Sequence, residues 1–287
     1  MQKITKNILK KVYLPRKSNS RKYDHGLLLV VGGGEFYTGS PALAAMAAFR
    51  AGVDMAQVLA PKRAADIIAG FSPNLATLPF QGKLFDKEDL PTLKSMTQAA
   101  KTVAKEKTAV VIGGGLGRSE ETKQTVLDYL RDINIKSVID ADGIHALADD
   151  TAVISGKPCI LTPHAFEFYV LTQQRVNDLG LEEKAGIVKT TAARLGCVIV
   201  LKGQKDIISD GNEVAVNETG SPCLTVGGTG DTLAGICGGL LAMGIKPFLA
   251  AKAAAFINGR AGEIAERKFG VGLLATDLIE SIPQAIK

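Results

Sequence analysis

The sequence is short of several things, and each shortage excludes a class of protein. No stretch approaches the roughly 18 uninterrupted apolar residues that a membrane-crossing helix needs. The apolar run near the N-terminus is too short for a secretory leader. Cysteine is sparse: Cys159, Cys197, Cys223 and Cys237 stand singly, with no C-x-x-C pair and no histidine at ligand spacing. That pattern argues against a zinc module or disulfide framework and reads as buried thiols in a reducing, cytoplasmic compartment. Asn217-Glu218-Thr219 is a glycosylation acceptor in form only. Repeats, low-complexity tracts and Pro/Ser-rich linkers are absent, so the expectation is a single domain over residues 24–287. The net charge of +5 is mild, and its excess sits in the first 22 residues. Residues 1–23 therefore read as a basic, solvated, poorly packed arm, with nucleic-acid binding the last-ranked use for it.

What is present is an ordinary apolar share, 46% of 287 residues, enough for a sizeable core. Short β-branched or leucine-rich runs at 26–31, 55–60, 109–112, 137–140, 159–162 and 197–201 read as strands. Most are nearly continuous apolar runs, as expected of strands covered on both faces. Helical patterns fall at 40–51, 62–70, 120–131, 143–147, 164–171, 181–195, 231–243 and 247–268. The alternation predicts a mostly parallel sheet between two helical layers. Runs 207–209 and 213–216, joined by Asp210-Gly211-Asn212, predict a hairpin at a sheet edge, walling one side of a site.

In such sheets ligands bind at the carboxyl ends of the strands. Those ends carry Gly32-Gly33-Gly34-Glu35, Gly113-Gly114-Gly115-Leu116-Gly117, Ala141-Asp142-Gly143, Pro163-His164 and Lys202-Gly203. Glycine at a tight turn has a purely structural reading, but so many polar or bare turns at one end favour a ligand. In the run LTVGGTGDTLAGICGGLL from Leu224, the bare backbone of Gly227, Gly228, Thr229 and Gly230 can approach an anion. A helix beginning there adds its free N–H groups and its dipole. An N-cap role for Thr229 or Asp231 explains one polar residue, not a carboxylate kept beside an anion hole. Deprotonating an attacking hydroxyl is a task that fits Asp231. The P-loop fails for want of a lysine, and G-x-G-x-x-G fails at Tyr37 and at Arg118.

The segment GGTGDTLAG resembles the G-x-G-D signature of ribokinase-like kinases, whose aspartate is the base and whose glycines form the anion hole. Residues 39–45 with 48–52 resemble the Y-x-G-A…LA…A-x-R-x-G segment of one branch, residues 138–143 its V-x-D-A-D-A/G, and 161–167 its L-T-P-H-x-x-E. Residues 200–203, 217–220 and 272–277 fit as well. In order over about 24–283, they are similar to the ADP/ATP-dependent NAD(P)H-hydrate dehydratases. The resemblance implies a ribokinase-like three-layer sandwich and a lyase for metabolite repair. It would use ADP or ATP, with Mg2+, to dehydrate the (6S) hydrates NADHX and NADPHX. The products would be NAD(P)H, phosphate and the shortened nucleotide.

By position, Asp231 would be the base and Gly228, Thr229 and Gly230 the anion hole. Ser40, Gly117, His164 and Asp231 would meet the dinucleotide, and Lys202, Gly203, Gln204, Lys205, Asp206 and Gly230 the adenine nucleotide. Ser40 has a helix-capping alternative, and His164, after a proline at a helix start, a purely structural one; Asp140 and Asp142 either cap a helix or organise a loop or a metal-bound water. Metal ligands are not assignable from the sequence. Ser40 replaces a usual alanine, Phe166 a common glycine, Asp206 a frequent threonine and Ser221 an asparagine, so the roles of Glu167 and Asp206 stay open. The resemblance also implies a homo-oligomer, a tetramer among the options; with only about 25 residues ahead of the first strand, the epimerase domain often fused in such proteins is not expected here. The rivals are a small-alcohol kinase of the same fold, of hydroxyethylthiazole or sugar type, and a silent nucleotide-binding regulator.

Overall fold

The computed structural model describes residues 1–287. The strands are β1 (Gln2–Lys3), β2 (Leu27–Val31), β3 (Met55–Pro61), β4 (Ala76–Phe80), β5 (Thr108–Ile112), β6 (Lys136–Ile139), β7 (Cys159–Leu161), β8 (Val198–Leu201), β9 (Asp206–Ser209) and β10 (Val214–Asn217). They form one sheet in the order β1-β10-β9-β8-β7-β6-β5-β2-β3-β4. All neighbours run parallel except β8–β9 and β9–β10. The α-helices are α1 (Leu9–Val12), α2 (Ser40–Arg50), α3 (Lys62–Phe71), α4 (Leu90–Ala104), α5 (Glu120–Asp132), α6 (Asp142–Leu147), α7 (Ala165–Thr172), α8 (Leu181–Leu195), α9 (Thr229–Ala242), α10 (Pro247–Phe269) and α11 (Ala275–Ile286).

The strands are apolar throughout because both faces are buried. In β2, Leu28 and Val30 enter the core shared with α2, α9, α10 and α11, while Leu27, Leu29 and Val31 enter the core shared with α4, α5 and α8. The three-layer sandwich follows directly. On the first face α9 is so rich in small residues because it lies backbone to backbone on α2: a Cβ at Gly235 would stand 2.1 Å from the Ala44 carbonyl oxygen.

The hairpin forms as expected, with Asp210 accepting from Asn212 and Glu213 N–H at 2.9 and 2.8 Å. It lies one strand in from the edge, because β1 pairs outside it. The arm is a correction to the expectation. Residues from Gln2 onward dock on the sheet, Ile4, Leu9 and Val12 are buried, and Arg16 pairs with Asp54 at 2.9 Å. Its apolar residues form one buried side while the Lys and Arg side chains face water. Elements β4, α4 and α11 were not foreseen. Pro79 weakens the strand signal in β4 and Pro283 the helical one in α11.

Candidate active site

Chain direction reverses between β2 and β5. From β2 the chain runs to β3 and β4 on one side; from β5 it runs to β6, β7 and β8 on the other. The carboxyl ends of these two strands therefore open the crevice of a doubly wound sheet. Their glycine turns touch: Gly33 N–H donates to Gly114 O at 2.8 Å. Gly114 in turn faces Asp231. A Cβ there would sit 2.0 Å from Ser40 Oγ and 2.7 Å from Asp231 Oδ1, so any side chain would have to push these two groups aside.

The start of α9 forms the opposite wall. Its N-cap, Gly228, has φ of 97°, and a side chain there would meet Leu43 and Ala275 at 2.6 and 2.9 Å. The first helical hydrogen bond runs from Thr232 N–H to Gly228 O, 3.1 Å. The N–H groups of Thr229, Gly230 and Asp231 thus lack helical partners, as an anion site requires. The Thr229 hydroxyl turns away, 2.7 Å from Leu224 O, so only its backbone can serve the anion hole. Thr232 and Asn258 brace this turn from beneath, 2.7 Å apart, with Asn258 Nδ2 donating to Thr229 O at 3.3 Å. The sequence reading did not single out either.

Asp231 sits in the first turn and accepts a hydrogen bond from Ser40. Ser40 therefore does not cap α2, where no side-chain cap bond exists. Burial pushes the Asp231 carboxyl up to about 7; the Ser40 hydroxyl and Lys202 pull it down, while Asp140 and Glu167 push it up. A cavity of about 10 Å³ lies among Ser40, Gly114, Asp140 and Asp231, room for about one water.

Lys202 follows β8 and links the acids. Its Nζ lies 3.0 Å from Asp140 Oδ1 and 3.6 Å from Glu167 Oε2. Asp140 Oδ1 also accepts from Thr162 Oγ1 at 2.7 Å. Burial lowers the lysine's proton affinity, but the Asp140 and Glu167 charges outweigh it and leave it raised. Nζ also lies 3.4 Å from the point where a Gly230 side chain would begin, so one cation joins the acid cluster to the helix start.

The remaining expected residues divide between binding and bracing. His164 is the N-cap of α7: Nδ1 accepts from Phe166 and Glu167 N–H at 3.1 and 3.2 Å, and Glu167 Oε2 accepts from His164 N–H at 2.8 Å. Its outer ring edge remains half exposed at the cleft. Glu167, whose role was open, is thus a buried capping residue beside Lys202. Neither Asp140 nor Asp142 caps α6, whose N-cap is Ala141 without a side-chain bond. Asp142 instead accepts from Gly117 N–H at 2.9 Å and from Arg118 Nε at 2.7 Å, pinning the glycine loop.

A cavity of about 750 Å³ opens beside α9 and is lined by His164, Lys202 to Asp206, Gly220, Gly230 and Asn258. That volume suits a nucleotide. Asp206 lies in its floor, not free in the cleft: it accepts from Gly203 N–H at 3.1 Å and from Asn217 Nδ2 at 3.0 Å. Burial pushes it up to about 6. Lys205 is held by Glu218 at 2.6 Å, and Lys205 together with Lys3 draws the Glu218 carboxyl down to about 2. Gln204 is exposed at the rim.

Comparison with known proteins shows the family. Residues 28–284 match the NAD(P)H-hydrate dehydratase family. The chain is 41% identical over 274 residues to the bifunctional NAD(P)H-hydrate repair enzyme of Pyrobaculum aerophilum, covering 95% of itself and 52% of that protein. It thus spans about half the length of such bifunctional relatives. It is 36% identical over 273 residues to the ADP-dependent (S)-NAD(P)H-hydrate dehydratase of Cenarchaeum symbiosum, 95% of this chain and 92% of that one. Among solved structures, the ADP/ATP-dependent NAD(P)H-hydrate dehydratase from Bacillus subtilis, co-crystallised with ATP and Mg2+, superposes with a TM-score of 0.81. The two share 27% identity, with 99% and 97% of the chains covered.

Proposed function

The chain belongs to the NAD(P)H-hydrate dehydratase family, and from that premise we propose that it dehydrates NADHX and NADPHX at the expense of ADP or ATP. The observation that carries the reading is Asp231: a carboxylate pushed up to about 7, set in the first turn of an anion-binding helix. Ordinary phosphate sites have no use for an acid there; a phosphoryl transfer to a hydroxyl does.

Asp231 takes the proton of the ring's C6 hydroxyl. The hydroxyl oxygen forms a bond to the terminal phosphorus as the bond to the bridging oxygen breaks, releasing AMP from ADP or ADP from ATP. Backbone N–H groups of Gly228, Thr229 and Gly230 and the Lys202 ammonium face the transferring oxygens, where charge spreads in the transition state. Phosphate is a far better leaving group than hydroxide. Its departure from C6, with loss of a proton from the neighbouring carbon, restores the ring double bond. Ser40, Gly117 and the exposed edge of His164 meet the dinucleotide; the loop from Lys202 to Asp206 with Gly230 meets the nucleotide.

Magnesium suits the donor set here. Thr162 and Lys202 both use Asp140 Oδ1, leaving Oδ2 for a cation held mainly by phosphate oxygens and water. When bound it would neutralise phosphate charge.

The test follows the near-ultraviolet absorbance of the reduced nicotinamide, with hydrated NADH, magnesium and either nucleotide. Nucleotide-dependent recovery by the wild type, lost in Asp231→Asn, is the expected result. No recovery by folded protein would overturn the reading. Phosphate retained on an alcohol product would point to the small-alcohol kinase instead.

A further inference from the structure

We propose that Ser40 is a positioning residue for the base: its hydroxyl holds one oxygen of Asp231 and aims the other at the reacting hydroxyl. The inference rests on the reading of Asp231 as base and goes beyond the role of Ser40 as a substrate contact.

The geometry leaves the hydroxyl little else to do. Ser40 opens α2, yet the helix start takes no bond from it. Its Oγ instead donates to Asp231 Oδ1 across the gap between α2 and α9. The pair is closed in from a third side by the turn after β5, because the space beside Gly114 is filled by Ser40 Oγ and Asp231 Oδ1 themselves. Three elements thus meet on two atoms, and rotation of the serine away from the carboxylate would break its hydrogen bond.

The charged groups facing Asp231 are Asp140 at the end of β6, Glu167 on α7 and Lys202 at the end of β8. Two acids against one cation leave the surroundings net negative, and burial acts in the same direction. Both disfavour the ionised base. A hydroxyl that donates to the carboxylate favours it. Ser40 is therefore the neutral group that keeps Asp231 from being locked in its protonated form near neutral pH.

The experiment compares wild type, Ser40→Ala and Ser40→Cys in two readouts. The first is the pH profile of kcat/KM for the hydrated dinucleotide. The second is carbon-13 NMR titration of the Asp231 carboxyl, assigned by its loss in Asp231→Asn. In Ser40→Ala the acid limb and the titration midpoint should both move up by about one unit, a tenfold change in ionisation. Activity should recover towards the wild-type value at high pH. Ser40→Cys, a weaker donor of similar shape, should fall between. An unmoved NMR midpoint in Ser40→Ala overturns the proposal, as does a loss of activity that is uniform across pH. A shifted midpoint in a protein that never turns over would overturn the reaction assignment and leave the coupling intact.

Discussion

Replacing Lys202 by methionine tests whether the acid cluster is held by that one cation. The Lys202 side chain is 20% exposed and those of Asp140 and Glu167 are 4% and 6% exposed, so both pairs are largely out of water. Methionine keeps most of the apolar stem and removes only the charge. Removing one partner of a buried pair costs about 3–5 kcal/mol, because the survivor stays buried and uncompensated. The cleft admits some water, so about 3 kcal/mol is expected. For a domain of this size that lowers Tm by roughly 6–12 °C. Urea unfolding and calorimetry of Lys202→Met give the single cost. Adding Asp140→Asn in the same background should recover about 2 kcal/mol, since it removes the orphaned charge while an amide oxygen still accepts from Thr162. A loss below about 1 kcal/mol, or strictly additive effects of the two substitutions, would refute the reasoning. Water would then be the partner of Asp140.

Four further outcomes follow from the same geometry. With Asp231 pushed up to about 7, kcat/KM should rise with pH along a limb centred near 7 and level off above it, which a pH–rate profile checks. The same group has a folded value above its unfolded one, so its contribution to stability is full at low pH. It is lost as pH rises from about 4 to about 7, and urea unfolding of Asp231→Asn should lack that decline. Gly114→Ala places a methyl 2.0 Å from Ser40 Oγ and should cut kcat by about 100-fold or more, with nucleotide KM little changed, as steady-state kinetics will show. In α9, Gly235→Ala drives a methyl to 2.1 Å from Ala44 O and should cost about 3 kcal/mol, whereas Gly186→Ala, exposed in α8 with nothing within 4 Å, should add about 0.5–1 kcal/mol. Thermal unfolding compares the pair.

The central strands were legible because their runs are apolar on both faces, and only a buried parallel sheet explains that. Their observed ends lie within a residue or two of the expected ones. The arm misled because its charge was conspicuous, while Ile4, Leu9 and Val12, the residues that dock it, are scattered among lysines. Within the site, Asp231 and the glycine turn were readable, since a carboxylate at a bare helix start is chemically odd. The bracing was not. Thr162 with Asp140, Glu167 with Lys202, Asn258 with Thr232, and Asn217 with Asp206 join segments 11 or more residues apart. No spacing in the chain announces such pairs; the topology creates them.

Two of those pairs, Thr162 with Asp140 and Glu167 with Lys202, bear on the proposed role of Asp231 as base. At its ordinary proton affinity an aspartate is a poor acceptor for a hydroxyl proton near neutrality, and burial alone would hold it protonated and inert. The site sets two opposed influences on one side chain. Burial with Asp140 and Glu167 raises it, while Ser40 and Lys202 lower it. Lys202 belongs to both sides of that balance, because the acids that raise Asp231 also hold the lysine in place beneath Gly230. The acid cluster is therefore not a surplus of negative charge left beside a phosphate site. It fixes the position of the cation and adds to the burial that pushes Asp231 up to about 7.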